Sequence, residues 1–259
     1  MQDINKLDNY TLPRGLMFVD PLDANGNTTG ELDLGNIVSA TASAESANLT
    51  HESSRGGFLE EDRNIPTKIS RAYSVVLDSL NMFNLGLFFI GDLSVVNQAA
   101  TPVLDEAITV KQGRWYQLGA GTDVMGVRNV SSVVIQDDTD TTTHVEGTDY
   151  TEDLVNGRIY IIPGGGIADD DVLHVDYTPA AETRNELASG TSAGSVAIRI
   201  VEDNQEGNNK VHYIAKATIS PNGEIPAISS EDAWAQMSYS IGIQKKNTAT
   251  PAVRIQDAA

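Results

Sequence analysis

Residues 210–219 read KVHYIAKATI, and this stretch decides the fold class. Val211, Tyr213, Ala215, Ala217 and Ile219 alternate with Lys210, His212, Ile214, Lys216 and Thr218. A period of two sends successive side chains to opposite faces of an extended chain, so the stretch predicts a half-buried β-strand with one largely polar face. Residues 235–243 repeat the pattern: Ala235, Met237, Tyr239, Ile241 and Ile243 alternate with Gln236, Ser238, Ser240 and Gly242. Leu16 to Val19 and Val196 to Val201 predict further strands. Asn25-Gly26, the polar run Glu202 to Asn209 and Pro221-Asn222-Gly223 supply turns between them. The chain reads as mainly β.

Ile37 to Leu49 (IVSATASAESANL) has the length of a strand but is rich in Ala, Ser and Thr. Its small side chains suit either close approach of another surface or a weakly packed edge strand. One helix stands out. Asp78 or Ser79 offers an N-cap and Gly91 a stop just past the C-terminus. The apolar residues between them, from Leu80 to Ile90, cover nearly the whole circumference, which predicts a short helix buried on most sides. Leu80, Phe83, Leu85, Leu87 and Phe88 are its expected core residues. Ile69 to Leu77 fits both spacings and is read as strand.

The middle of the chain differs in composition. Between Gly119 and Thr178 stand twelve acidic and two basic residues, so this segment holds ten of the nineteen net negative charges. Its strand signals are short: Val130 to Ile135, Arg158 to Ile162 and Val172 to Tyr177, with Asn156-Gly157 and Gly164-Gly165-Gly166 as turns. This predicts a small, immunoglobulin-like β-module at residues 101–179. It would be inserted in a larger sandwich or barrel domain made of residues 1–100 and 180–259. Its boundaries fall near Thr101-Pro102 and Pro179. No solenoid-type repeat is present.

Of the 259 residues 40% are hydrophobic, enough to fill a core. A net charge of −19 repels phosphate and argues against nucleic-acid binding through a basic patch. The absence of cysteine excludes disulfides and thiolate chemistry. Met1 to Pro13 has no apolar core of a signal peptide, and no apolar run approaches the roughly 20 residues that cross a bilayer. A soluble protein, made and assembled in a cytoplasm without a membrane, is the expectation.

No catalytic constellation emerges. His51, His144, His174 and His212 show no metal-ligand spacing, and His174 and His212 fall inside strands as core or face-exposed histidines. Ser195 follows Gly194 without the rest of a nucleophile elbow. No Lys-Ser/Thr follows Gly164-Gly165-Gly166, and Asp169 to Asp171 would repel phosphate, so a turn is the better reading. A calcium-loop frame over Asp23-Ala24-Asn25-Gly26 would put Pro21 at its first ligand and Leu32 at its last, so this too reads as a turn. Asp169 to Asp171 reads as a solvated turn. No enzyme activity, cofactor or metal is expected.

The order of these features resembles the tail tube proteins of long-tailed bacteriophages. It begins with Arg14-Gly15-Leu16-Met17-Phe18, continues through Leu34-Gly35-Asn36 and the small-residue strand, and reaches a polar excursion Thr50 to Lys68 holding Ser53-Ser54-Arg55-Gly56-Gly57. A strand then leads into the helix closing with Phe88-Phe89-Ile90-Gly91. Ala217 to Glu224 (ATISPNGE) and Asp232-Ala233-Trp234 complete the pattern. Gly147-Thr148-Asp149-Tyr150, Asn156-Gly157-Arg158-Ile159 and Val175-Asp176-Tyr177-Thr178 resemble an accessory module of some members.

The resemblance implies a virion protein whose hexameric rings stack into a helical hollow tube through which DNA passes at ejection. Its partners would be other copies of itself, a tape-measure protein and a tail terminator protein, with DNA only transiently in the lumen. By position Thr50 to Lys68 would be an inter-ring loop, with Ser53, Ser54, Arg55, Gly56, Gly57, Phe58, Asp62 and Arg63 as contact candidates. An acidic lumen would repel DNA over a screening length of about 8 Å. Glu45, Glu52, Glu202, Asp203 and Glu206 are the candidates for lining it. A capsid decoration or baseplate protein would instead form discrete oligomers. A carbohydrate- or calcium-binding sandwich would show exposed aromatic clusters, whereas Trp234 is expected in a core strand.

Overall fold

The alternating stretch at 210–219 lies in β14 (Lys210–Pro221), in the middle of the largest sheet. The computed structural model describes residues 10–257. In chain order the other elements are β1 (Gly15–Pro21), β2 (Leu32–Asp33), β3 (Ile37–Ser53), β4 (Glu60–Leu77), α1 (Met82–Phe89), β5 (Gly91–Gln98), β6 (Val103–Thr109), β7 (Trp115–Gln117), β8 (Val130–Asp137), β9 (Tyr150–Asp153), β10 (Arg158–Ile161), β11 (Val172–Pro179), β12 (Glu182–Ser189), β13 (Ser195–Glu202), β15 (Met237–Ile243) and β16 (Val253–Asp257). The fold is mainly β. No helix of the described residues is long and apolar enough to cross a membrane.

The chain divides into two compact units, Met1–Ser94 with Leu187–Ala259, and Val95–Glu186. The divisions fall within β5 and β12, which pair with each other, and not at the prolines. Pro179 is instead the buried last residue of β11.

In the first unit the sheet order is β2-β1-β13-β14-β15-β4-β3, with β16 also paired to β14. All these pairings are antiparallel. The sheet is open: the expected barrel is not closed within one chain. Its core gathers Met17, Val19, Leu34, Val75, Leu77, Ile198, Ile214, Ile219, Met237, Tyr239 and Ile241.

In β15 the alternation holds, with Met237, Tyr239 and Ile241 buried. Trp234 precedes this strand and is 89% exposed, which corrects its expected place in the core. In β14 the alternation changes phase. Val196 pairs Ala217 while Ile198 pairs Ile214, so three steps of β14 span two of β13. This bulge brings Ile214 into the core with Ala217 and Ile219, where unbroken alternation would have put Tyr213. Tyr213 carries the Arg199 guanidinium over its ring at 5.1 Å.

The helix starts later than the sequence suggested. Asn81, not Asp78 or Ser79, is the N-cap, its side chain accepting from the Asn84 N–H at 2.8 Å. Asp78 instead accepts from Asn36 Nδ2. The left-handed residue at the C-terminus is Ile90, not Gly91. Leu80, Phe83, Leu85, Leu87 and Phe88 pack against the first core but are only half-buried. Two helical turns lying on a sheet leave one side open, and Phe89 is half exposed there. Asn84 and Gly86 are the buried helical residues. Asn84 Nδ2 donates to Leu34 O at 2.9 Å and Ser79 O at 2.7 Å, and Tyr239 Oη donates to Asn84 O at 2.6 Å. Polar bonds thus pin the helix where enclosure was expected.

The second unit has two three-stranded antiparallel sheets, β7-β10-β9 and β6-β11-β8. Leu118, Ile135, Tyr150, Ile159, Ile161, Leu173, Val175 and Tyr177 share its core. The triple glycine wraps Asp149, whose carboxylate accepts the Gly166 N–H at 2.7 Å and the Val145 N–H at 2.8 Å. These donors hold the Asp149 carboxyl below its ordinary range.

Candidate assembly surface

β3 and β4 pair from Ile37↔Leu77 outward to Ser53↔Glu60. Beyond the Ser43↔Ala72 pair every residue of the ribbon is exposed except Ser53, which is half-buried. Eleven residues of β3 at about 3.4 Å each make an arm roughly 35 Å long.

The expected loop Thr50 to Lys68 is therefore mostly strand, and only Ser54 to Leu59 form the turn. Its polar composition and Pro66 hid the strand. Pro66 sits opposite Asn48, beside a bulge at Thr67 whose hydroxyl donates to Ala47 O at 3.0 Å. Such an irregularity accommodates a residue that has no N–H to give. A second bulge inserts Asp62 between the pairs His51↔Arg63 and Glu52↔Glu61, and its carboxylate meets His51 Nδ1 at 2.5 Å.

Among the contact candidates, Ser53 ends β3 and Ser54, Arg55, Gly56, Gly57 and Phe58 form the tip, while Asp62 and Arg63 lie in β4. Phe58 is 80% exposed. The sequence reading missed Leu49, Leu59, Ile65 and Ile69, which are also exposed along the arm. Leu49 and Ile65 are direct cross-strand partners. From Ser43 to Ala72 there are five acidic and four basic residues, so the arm is nearly neutral in a chain of charge −19. Arg55, Arg63, Lys68 and Arg71 make no ion pair among the described residues.

The five candidate lumen acids do not form one group. Glu45 and Glu52 lie on the arm, opposite Ser70 and Glu61. Asp203 and Glu206 are exposed in the β13–β14 connection. Glu202 is not a free surface acid. Its carboxylate takes His212 Nε2 at 3.0 Å, Asn204 Nδ2 at 2.9 Å and the Lys210 N–H at 3.0 Å. His212 Nδ1 in turn lies 3.0 Å from Tyr73 Oη. This Glu202–His212–Tyr73 chain ties the root of the arm to β13 and β14 beside a 710 Å³ cavity. Burial, with the Glu202 charge, pushes the Tyr73 hydroxyl up from its ordinary value, so it stays protonated. The β14 bulge hid the chain from sequence reading, because it decides which side chains share a face with His212.

The remaining candidates have local partners. The Asp23 carboxylate accepts the Asn25 and Asn27 N–H groups at 2.8 Å, closing the turn. His144 is half-buried, 3.7 Å from Asp149. His174 Nδ1 lies 2.7 Å from Asp140. Asp169 and Asp171 cap the Gln112 and Ala168 N–H groups, and Asp170 pairs with Lys111 at 3.2 Å. Ser195, which opens β13, lines an apolar 260 Å³ cavity with Phe83 and Leu87.

Residues 10–253 match the model of a family described as "Protein of unknown function UCP028589", and the chain belongs to that family. No curated protein matches the sequence.

Proposed function

We propose that the chain is a structural subunit that polymerises, and that it builds the tail tube of a long-tailed bacteriophage. The observation that carries this reading is the arm. A two-stranded ribbon open on both faces is marginally stable in water, so it gains by lying against another surface. Its exposed Leu49, Phe58, Leu59, Ile65 and Ile69 supply apolar contact. Its four cations, unpaired among the described residues, suit an acidic neighbour, and the rest of each copy is strongly acidic. An arm of one copy lying on a different surface of the next is a head-to-tail contact, which repeats into rings or filaments. The open sheet in the first unit leaves free strand edges that a ring of copies would pair. In this reading the partners are other copies, a tape-measure protein and a terminator, with DNA passing through the lumen.

Negative-stain electron microscopy of the purified protein across a concentration series tests it. Hollow rods of uniform diameter or stacked rings with a central hole are expected. Closed small oligomers without a channel would replace the tube by a decoration or baseplate role.

A further inference from the structure

We propose that Asp105, Asp140 and His174 bind a divalent transition-metal cation on the second unit. One ligand atom from each lies within 4.8 Å of the others. The three come from separate elements: Asp105 from β6, Asp140 from the turn after β8, and His174 from β11. Strands β6 and β8 flank β11, and His174 stands opposite Ala107 on one side and Gln136 on the other. Asp105 sits at the register shift between β6 and β11 and Asp140 in the turn beyond β8, and both carboxylates come within reach of the imidazole.

A simple ion pair accounts for part of this group and not for the rest. His174 and Asp140 meet at 2.7 Å, which satisfies one carboxylate oxygen. The Asp105 side chain accepts no hydrogen bond from any described residue, although its own N–H donates to Asp176 Oδ1 at 2.8 Å. Two neighbouring carboxylates with one imidazole and, among the described residues, no paired lysine or arginine form a site that a cation would complete.

The donor set decides the class of ion. Calcium and magnesium take oxygen ligands, whereas one imidazole nitrogen with two carboxylate oxygens suits zinc, manganese or cobalt. Three protein ligands leave the remaining positions to water. A bound ion would join the turn after β8 to β6 and β11. Binding the folded state alone, it would raise the thermal stability of the second unit.

Calorimetric titration of the full chain, freed of metal by chelator and dialysis, tests the site with Zn²⁺ and then Ca²⁺. One saturable Zn²⁺ per chain is expected, with Ca²⁺ weaker. His174→Ala and Asp105→Asn should each weaken Zn²⁺ binding by about tenfold or more. Asp170→Asn, a change at another surface acid, should leave it unaltered. Asp105 and Asp170 are exposed and His174 is half-buried, and circular dichroism in chelator establishes that each variant is folded. Co²⁺ absorption in the wild type that His174→Ala abolishes would establish the nitrogen ligand. An absence of saturable Zn²⁺ binding would overturn the proposal. So would folded His174→Ala and Asp105→Asn variants of unchanged affinity, or Ca²⁺ binding as tightly as Zn²⁺.

Discussion

Replacing Glu52–Asp62 by the dipeptide Asn-Gly should abolish rod assembly and leave the monomer folded. His51 and Arg63 are direct antiparallel partners, and a two-residue Asn-Gly turn closes such a pair. None of the eleven excised residues belongs to either core. The His51–Asp62 pair that is lost is solvent-exposed, and such pairs contribute about 0–1 kcal/mol. The Glu52↔Glu61 like-charge pair is lost with it, a gain of a few tenths of a kcal/mol. Shortening the connection from the six residues Ser54–Leu59 to two favours closure by about 1 kcal/mol. These terms nearly cancel, so stability should change by less than about 1 kcal/mol. Urea unfolding should show an unchanged slope, because the slope follows the surface exposed on unfolding, and little shift of midpoint. Electron microscopy at the highest concentration that gives wild-type rods then reads assembly. Normal rods from the shortened chain would remove the outer arm from the contact. A chain that no longer folds would refute the claim that the arm is independent of the core.

Asn84→Ala should destabilise the first unit by about 2 kcal/mol, since it strips donors from the Leu34 and Ser79 carbonyls. A loss below about 0.5 kcal/mol in denaturant unfolding would show that the side chain does not pin α1. Asp149→Asn should lower the thermal unfolding temperature of the second unit at pH 7. The folded carboxyl titrates below its unfolded value near 3.9, so its contribution is full above that value and fades as pH falls through the folded one. The gap between wild type and variant should therefore close below about pH 4, and a gap unchanged in acid would exclude the carboxylate charge as its source.

What the sequence made legible was period-two order without interruption. Residues 237–243 pair in simple register, so Met237, Tyr239 and Ile241 fall inward as written. The segments read at 130–135, 158–162 and 172–177 fall within two residues of the ends of β8, β10 and β11. Bulges broke that legibility. One in β14 reversed which residues reach the core, and two in β4 let Pro66 and Asp62 sit within a strand that reads as loop. The helix showed the apolar residues but not their depth, because partial burial depends on how two turns lie on the sheet. The grouping of Asp105, Asp140 and His174 depends on the pairing of β6 and β8 with β11 and on the turn after β8, which no local spacing records.

The arm and the acidic remainder of the chain explain each other. Like charge on compact bodies opposes association, and the second unit alone carries sixteen acidic against five basic residues. A copy can approach another only where repulsion is locally absent, and the nearly neutral arm is such a place. At physiological salt the attraction of Arg55, Arg63, Lys68 and Arg71 for acids reaches about 8 Å, so it acts at contact and leaves distant surfaces apart. In the proposed assembly, apolar residues on the same ribbon would then supply affinity that salt does not screen. A long, exposed, unpaired ribbon is ordinarily an aggregation hazard. In the proposed assembly its flanking acids would restrict what it can touch and so turn the hazard into one directed contact.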